Sequence, residues 1–248
     1  NGLVGRPLTK KLKRDFEIIQ VLNPYSKQKD LEIDESKIYI DLSKNIDCDK
    51  LYKNVDTIIY LCQARKNCYQ EGEIDKIYNI NTINPYNIAL FAIKNKIKNF
   101  IYFSTGGVYP FSKIPNKENS SINFNNTDIY VSSKISAEIM LKSLNNHLNV
   151  LIFRPFFILG HDPWGERLFS RLLKQIINNE EILIDRFNGV TINPVDVDYV
   201  VDCVIKSLKL DKTDVINLSG NKIYSLREII DLISFHLKIK AKIILKKS

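Results

Sequence analysis

No stretch of the sequence is apolar for long enough to cross a membrane. The longest apolar run, at 150–160, is broken by Arg154 and Pro155 and falls short of the roughly 20 residues a spanning helix needs. The four cysteines, Cys48, Cys62, Cys68 and Cys203, form no CxxC pair, and the three histidines, His147, His161 and His236, lack the spacing of metal ligands. No metal site is expected. With no secretory leader opening the sequence, the thiols read as reduced, in a cytoplasmic protein. Arginine is scarce, 8 against 28 lysines. The net charge of +8 comes from lysines scattered among isoleucine and asparagine, a compositional bias and not a phosphate-binding patch, so no nucleic-acid partner is expected. The one local basic run, LKIKAKIILKK near the end, alternates like a half-exposed strand.

What is present is an α/β alternation. With 248 residues and 44% hydrophobic content, the chain can bury a substantial core as a single domain. Short β-branched runs at 16–22, 37–41, 56–62, 99–104, 149–154 and 214–219 read as strands. Longer amphipathic segments at 6–13, 75–95, 129–145, 166–178, 197–209 and 225–236 read as helices. That order predicts a Rossmann-like, doubly wound parallel sheet. The stretch 110–128, rich in Asn, Ser and Pro, is expected to be a loop, and 156–196 is the least regular part. The opening NGLVGRPLTKKL places Gly2 and Gly5 directly before a helical pattern, with no strand in front. Glycines at a helix entry let backbone amides approach a pyrophosphate, which then sits on the positive helix end. A short β-branched strand and one further glycine are therefore expected upstream of Asn1. Asn23, after the first strand, falls where a ribose-binding residue is expected.

Residues 129–138 read IYVSSKISAE, with Tyr130 and Lys134 one helical turn apart on the same face. Twelve tyrosines and 28 lysines place about 1.4 such pairs by chance, and three occur. Of the other two, Tyr25 with Lys29 lies in the ribose region, and Tyr109 with Lys113 is disfavoured as a helical pair because Pro110 follows Tyr109.

Taken in order, these motifs resemble the extended short-chain dehydrogenase/reductases, the NAD-dependent epimerase/dehydratase family. The resemblance runs over almost the whole chain. It covers NGLVG, Asp41-Leu42 at one strand end, Leu61-Cys62 of LCQA at another, Asn81 and Asn87 of NTINPYNIALFA, FSTGGVYP, Tyr130 with Lys134, Pro155 of RPFFILG, and VDVDYV. It implies an NAD-dependent enzyme, with NADP not excluded because Asn23 neither repels nor attracts a 2′-phosphate. Gly2, Gly5, Asn23, Asp41, Leu42, Leu61, Cys62, Tyr130, Lys134 and Pro155 are the residues it assigns to the cofactor. Tyr130 would act as the acid/base, its pKa lowered from near 10 by Lys134 and the oxidised nicotinamide. Thr105 would bind the same substrate oxygen, and Asn81 would support the lysine through its backbone and a water.

Departures from the family pattern narrow the chemistry. Dehydratases are similar to one another in carrying Asp-Glu after the threonine, where this chain has Gly106-Gly107, so epimerisation or carbonyl reduction of a nucleotide-linked sugar is expected. Ile192 stands where many nucleotide-sugar members have an arginine; Arg167, Arg171 and Arg186 are the candidates to bind the substrate diphosphate instead. Substrate binding is expected mainly from 156–196 and 220–248, in a homodimer. The alternatives are a reductase of a non-nucleotide carbonyl compound and a non-catalytic dinucleotide-binding module.

Overall fold

The computed structural model describes residues 2–25, 36–64, 72–112, 114–125, 128–160, 167–185 and 187–246. In chain order the elements are α1 (Gly5–Leu12), β1 (Gln20–Leu22), β2 (Lys37–Tyr39), β3 (Thr57–Tyr60), α2 (Glu73–Tyr78), α3 (Asn84–Lys94), β4 (Asn99–Phe103), α4 (Ile129–Lys142) and β5 (Asn149–Pro155). They continue with β6 (Phe157–Leu159), α5 (Leu168–Ile177), β7 (Glu181–Ile184), β8 (Thr191–Ile192), β9 (Pro194–Asp196), α6 (Val197–Ser207), β10 (Asp214–Leu218), β11 (Tyr224–Ser225), α7 (Leu226–Leu237) and β12 (Lys242–Leu245). Two compact units result: Asn1–Pro155 with Asp202–Leu218, and Phe156–Val201 with Ser219–Ser248.

The first unit is built on a four-stranded parallel sheet in the order β10-β5-β4-β3, with β1 and β2 paired in a second parallel sheet. The runs NFIYF and NVLIFRP supply its middle. Phe100, Tyr102, Val150 and Ile152 are fully buried, each worth about 1.5–3 kcal/mol of burial. Their cover comes from Ile88 and Ala92 on α3 and Ala137 and Leu141 on α4. Asp128 starts α4 as an N-cap, its carboxylate accepting from the Val131 N–H at 2.8 Å.

The helix expected over 75–95 is not continuous. A π turn, Asn79–Ile83, separates α2 from α3. Pro85, in the first turn of α3, has no N–H to give the Asn81 carbonyl four residues back, and the Asn84 N–H reaches back five residues to Asn79. The carbonyls of Ile80 and Asn81 are thereby released from the helical ladder.

In the second unit, α5 and α7 share a core with β7: Leu172, Ile176, Ile182, Ile184, Ile230 and Ile233. Ser225 and Glu228 form a reciprocal capping box at the start of α7. Among its described residues the region 156–196, expected to be the least regular, holds four strands of two to four residues, too short to show a period. The terminal alternating run forms β12, parallel to β7.

Candidate active site

In a parallel sheet the carboxyl ends of the strands open onto the ligand crevice. Seven candidates of the first unit stand at such ends. Asn23 follows β1, Asp41 and Leu42 follow β2, Leu61 and Cys62 follow β3, Thr105 follows β4, and Pro155 closes β5. Pro155 pairs with Leu218 at the end of β10.

Lys134 is fully buried, its Nζ donating to the Phe103 carbonyl at 2.7 Å and lying 4.7 Å from the centre of the Tyr102 ring. One turn earlier on α4, the Tyr130 hydroxyl donates to Gln63 Oε1 at 3.1 Å. Thr105 caps the short 3-10 turn Gly106–Val108, its hydroxyl oxygen accepting from the Gly107 N–H at 3.1 Å. A Cβ on Gly107 would make only ordinary contact, at 3.4 Å from Val131 and 3.5 Å from Thr105.

Asn81, also fully buried, ties the π turn to two neighbours. Its side-chain oxygen accepts from the Ala64 N–H at 2.9 Å, and its amide donates to the Ala64 carbonyl at 3.0 Å and to Ser133 Oγ at 2.9 Å. Ser133 in turn donates to the Tyr130 carbonyl at 2.7 Å. The two released carbonyls take phenol donors: Tyr60 OH to Ile80 at 2.5 Å and Tyr102 OH to Asn81 at 2.7 Å. Burial holds both phenols well above the ordinary tyrosine pKa, so both remain donors across the physiological range. The sequence reading missed Tyr102, because FIYFS reads only as a buried strand.

Asp41 Oδ1 accepts from Ser43 N at 3.0 Å and Ser43 Oγ at 2.6 Å, and the hydroxyl hydrogen bond chiefly keeps its carboxyl below the usual range. The Asn23 side chain closes a turn onto the Tyr25 N–H at 2.9 Å. Burial pushes the Cys62 thiol above its ordinary value. Gly2 has nothing within 4 Å of a built Cβ, and Gly5 only Leu61 at 3.7 Å. Neither position needs glycine for the fold.

Arg167 stands at the N-cap of α5 and Arg171 on its first turn, both in the second unit; Arg186, like Lys29 and Lys113, lies outside the described residues. The same unit holds an apolar cavity of about 390 Å³ whose lining includes Phe157, Leu168, Leu172, Tyr224 and Ile233. Tyr109 is extended at φ −85° and ψ 150°, so it forms no helical pair with Lys113. Its hydroxyl accepts from Arg154 at 2.6 Å and donates to Asn217 at 2.8 Å. Arg154 and Glu138, each with 1% of its side chain exposed, form a forked ion pair between β5 and α4. Burial opposes the Arg154 charge, and Glu138, helped by Tyr109, outweighs it and leaves the guanidinium pKa above its ordinary value. Among the described residues no cluster of metal-ligating side chains forms, and no helix is long and apolar enough to cross a membrane.

A parallel α/β sheet with a tyrosine and a buried lysine on one helix beside the strand ends defines a dinucleotide-binding fold of the short-chain dehydrogenase type. The chain belongs to the NAD dependent epimerase/dehydratase family, whose sequence profile matches residues 1–219. No curated protein matches it in sequence. Among solved structures it is similar to the UDP-glucuronic acid 4-epimerase of Bacillus cereus in complex with UDP-glucuronic acid and NAD, at 19% identity and a TM-score of 0.85 over 100% of this chain and 84% of that one. It is similar also to the UDP-N-acetylglucosamine 4-epimerase of Methanobrevibacter ruminantium, at 22% identity and 0.83 over 99% and 83%. An NAD-dependent NDP-hexosamine 5,6-dehydratase involved in tunicamycin biosynthesis matches at 16% identity and 0.82 over 99% and 81%.

Proposed function

We propose that this chain is an NAD-dependent epimerase of a nucleotide-linked sugar, with Tyr130 as acid/base, Thr105 as ligand of the reacting oxygen and Lys134 as cofactor anchor. The observation that carries the reading is Lys134: a charge buried completely is costly unless its site uses it, and this one lies one turn from Tyr130 at the mouth of the sheet.

Three features of the chain suit a dinucleotide. Gly2 and Gly5 leave open space at the start of α1, whose first turn has no acidic residue and no side-chain cap. Ser104, just before Thr105, keeps a buried hydroxyl without a partner among the described residues. Leu61, Cys62 and Pro155 supply apolar walls. Lys134 would hold the nicotinamide ribose, and Asp41 the adenine edge. Bound NAD supplies a hydride acceptor that gives the hydride back, so no outside reductant is consumed.

The chain's own residues move the proton. Thr105 would orient the sugar carbinol and Tyr130 would take its hydroxyl proton, with the bound NAD as hydride acceptor. With the keto sugar turned to present its other face to the cofactor, Tyr130 would return the proton to the carbinol oxygen and the centre would be inverted. The Lys134 ammonium favours the tyrosinate that begins the cycle. Gly106 and Gly107 place no acid beside Thr105 to protonate a leaving hydroxyl, which argues against dehydration. Arg167 and Arg171, in the second unit, are the described candidates for the substrate diphosphate. The expected homodimer would cover Leu90 on α3 and Ile139 on α4, both exposed.

Tyr130→Phe should preserve NAD binding while lowering turnover of UDP-sugars by roughly 10²- to 10⁴-fold. Parental turnover in that variant would refute the assignment, and net consumption of NADH with 4-keto sugars would make the protein a reductase.

A further inference from the structure

The family resemblance implies that Asn81 supports the lysine through its backbone and a water, and its carbonyl has a protein partner here. Its side chain is committed to Ala64 and Ser133, while its carbonyl, released by Pro85, accepts the Tyr102 hydroxyl. The ring of Tyr102 then lies under the Lys134 ammonium, 4.7 Å from ring centre to Nζ. We propose that Tyr102 is a positioning residue of Lys134, carrying the hold of the π turn to the buried ammonium beside the Phe103 carbonyl that accepts from its Nζ at 2.7 Å. The inference rests on the reading of Lys134 as the partner of Tyr130.

The side chain suits this task. An aromatic face attracts an ammonium without taking its proton, whereas a carboxylate in the same place would pair with Lys134 and cancel its field at Tyr130. The ring is fixed at both ends. Its hydroxyl is anchored on Asn81, and its face is stacked against Tyr60 of the neighbouring strand at 6.1 Å between centres. Tyr60 is anchored in the same way, on Ile80. Phenylalanine at 102 would supply the ring without the anchor, and leucine would supply neither. Tyr130 and Lys134 stand one turn apart on the same face of α4, so a displaced Lys134 is expected to register at Tyr130.

The test follows Tyr130 ionisation in the full chain with NAD present, by tyrosinate ultraviolet absorbance, each variant measured against the same variant carrying Tyr130→Phe. Lys134→Met sets the full effect. Tyr102→Leu is expected to raise the Tyr130 midpoint by about one pH unit, part of the shift an adjacent charge produces, and to weaken NAD binding several-fold. Tyr102→Phe, which keeps the ring and loses the Asn81 anchor, should raise the midpoint by less than Tyr102→Leu does and lower the melting temperature. Phe100→Leu, a buried ring on the same strand and in the same core but outside the Tyr102–Lys134 contact, should lower the melting temperature and leave the midpoint alone. If Tyr102→Leu fails to fold, Tyr102→Met fills more of the space and serves the same comparison. An unshifted midpoint in Tyr102→Leu or Tyr102→Met beside a shifted one in Lys134→Met overturns the proposal and spares the assignment of Lys134. An equal shift in Phe100→Leu would also overturn it, as a general effect of loosened packing. No shift in Lys134→Met would overturn both.

Discussion

Glu138→Gln gives the sharpest stability prediction, because it changes a charge and almost no volume. Glu138 and Arg154 each expose 1% of their side chains, and the fork between them joins α4 to β5 one turn beyond Lys134 and one residue before Pro155. Removing the carboxylate charge leaves a buried guanidinium with neutral partners alone among the described contacts: the new amide oxygen, the Tyr109 hydroxyl and the Glu118 carbonyl. Breaking a buried pair from one side costs about 3–5 kcal/mol. At this chain length each kcal/mol moves the melting temperature by about 2–4 °C, so thermal unfolding followed by circular dichroism should fall by about 6–20 °C. The double variant Glu138→Leu/Arg154→Met, which removes both charges, should recover much of that loss. A Glu138→Gln melting temperature within about 2 °C of the parent, or a double variant worse than the sum of its singles, would refute the reasoning.

Two further predictions concern the cofactor and the acid/base. Gly5→Ala meets only Leu61, at 3.7 Å, so its melting temperature should stay within about 1–2 °C of the parent, while calorimetric titration should show NAD affinity reduced at least tenfold; unchanged affinity would remove Gly5 from the pyrophosphate site. Gln63 accepts a hydrogen bond from the neutral phenol of Tyr130, which stabilises the protonated form, so Gln63→Ala should lower the Tyr130 midpoint by about 0.5–1 pH unit in a tyrosinate titration, and a rise would contradict that role.

The elements that could be read in advance are those whose side chains repeat with a period. Within NFIYF and NVLIFRP the cores FIYF and VLIF are unbroken apolar runs of strand length, and both segments became central parallel strands. Tyr130 and Lys134 stood four apart before the Ala137 and Leu141 stripe, and the helix followed. The π turn could not be read that way, since Ile77, Ile80 and Ile83 keep an apolar spacing through it. The clue was chemical: Asn79, Asn81 and Asn84 precede Pro85, and their amides bond outside the helix. Tyr102 and the Arg154–Glu138 pair were hidden for a different reason. Their partners lie 21 and 16 residues away, and only the pairing of β4 and β5 and the cover of α4 bring them together. The short strands of the second unit carry two to four residues each, too few to show alternation.

The central claim, that a proton on Tyr130 and a returned hydride together invert a sugar carbinol, is tested most directly by isotope. UDP-glucose, UDP-N-acetylglucosamine and UDP-glucuronic acid, each carrying deuterium on the 4-carbon, would be incubated with the chain and NAD and followed by proton and deuterium NMR. The account predicts that at least one of them yields its 4-epimer with the deuterium kept on the same carbon, without accumulation of NADH, and that Tyr130→Phe does not. Loss of the deuterium to solvent water, or the same product at the same rate from Tyr130→Phe, would contradict it.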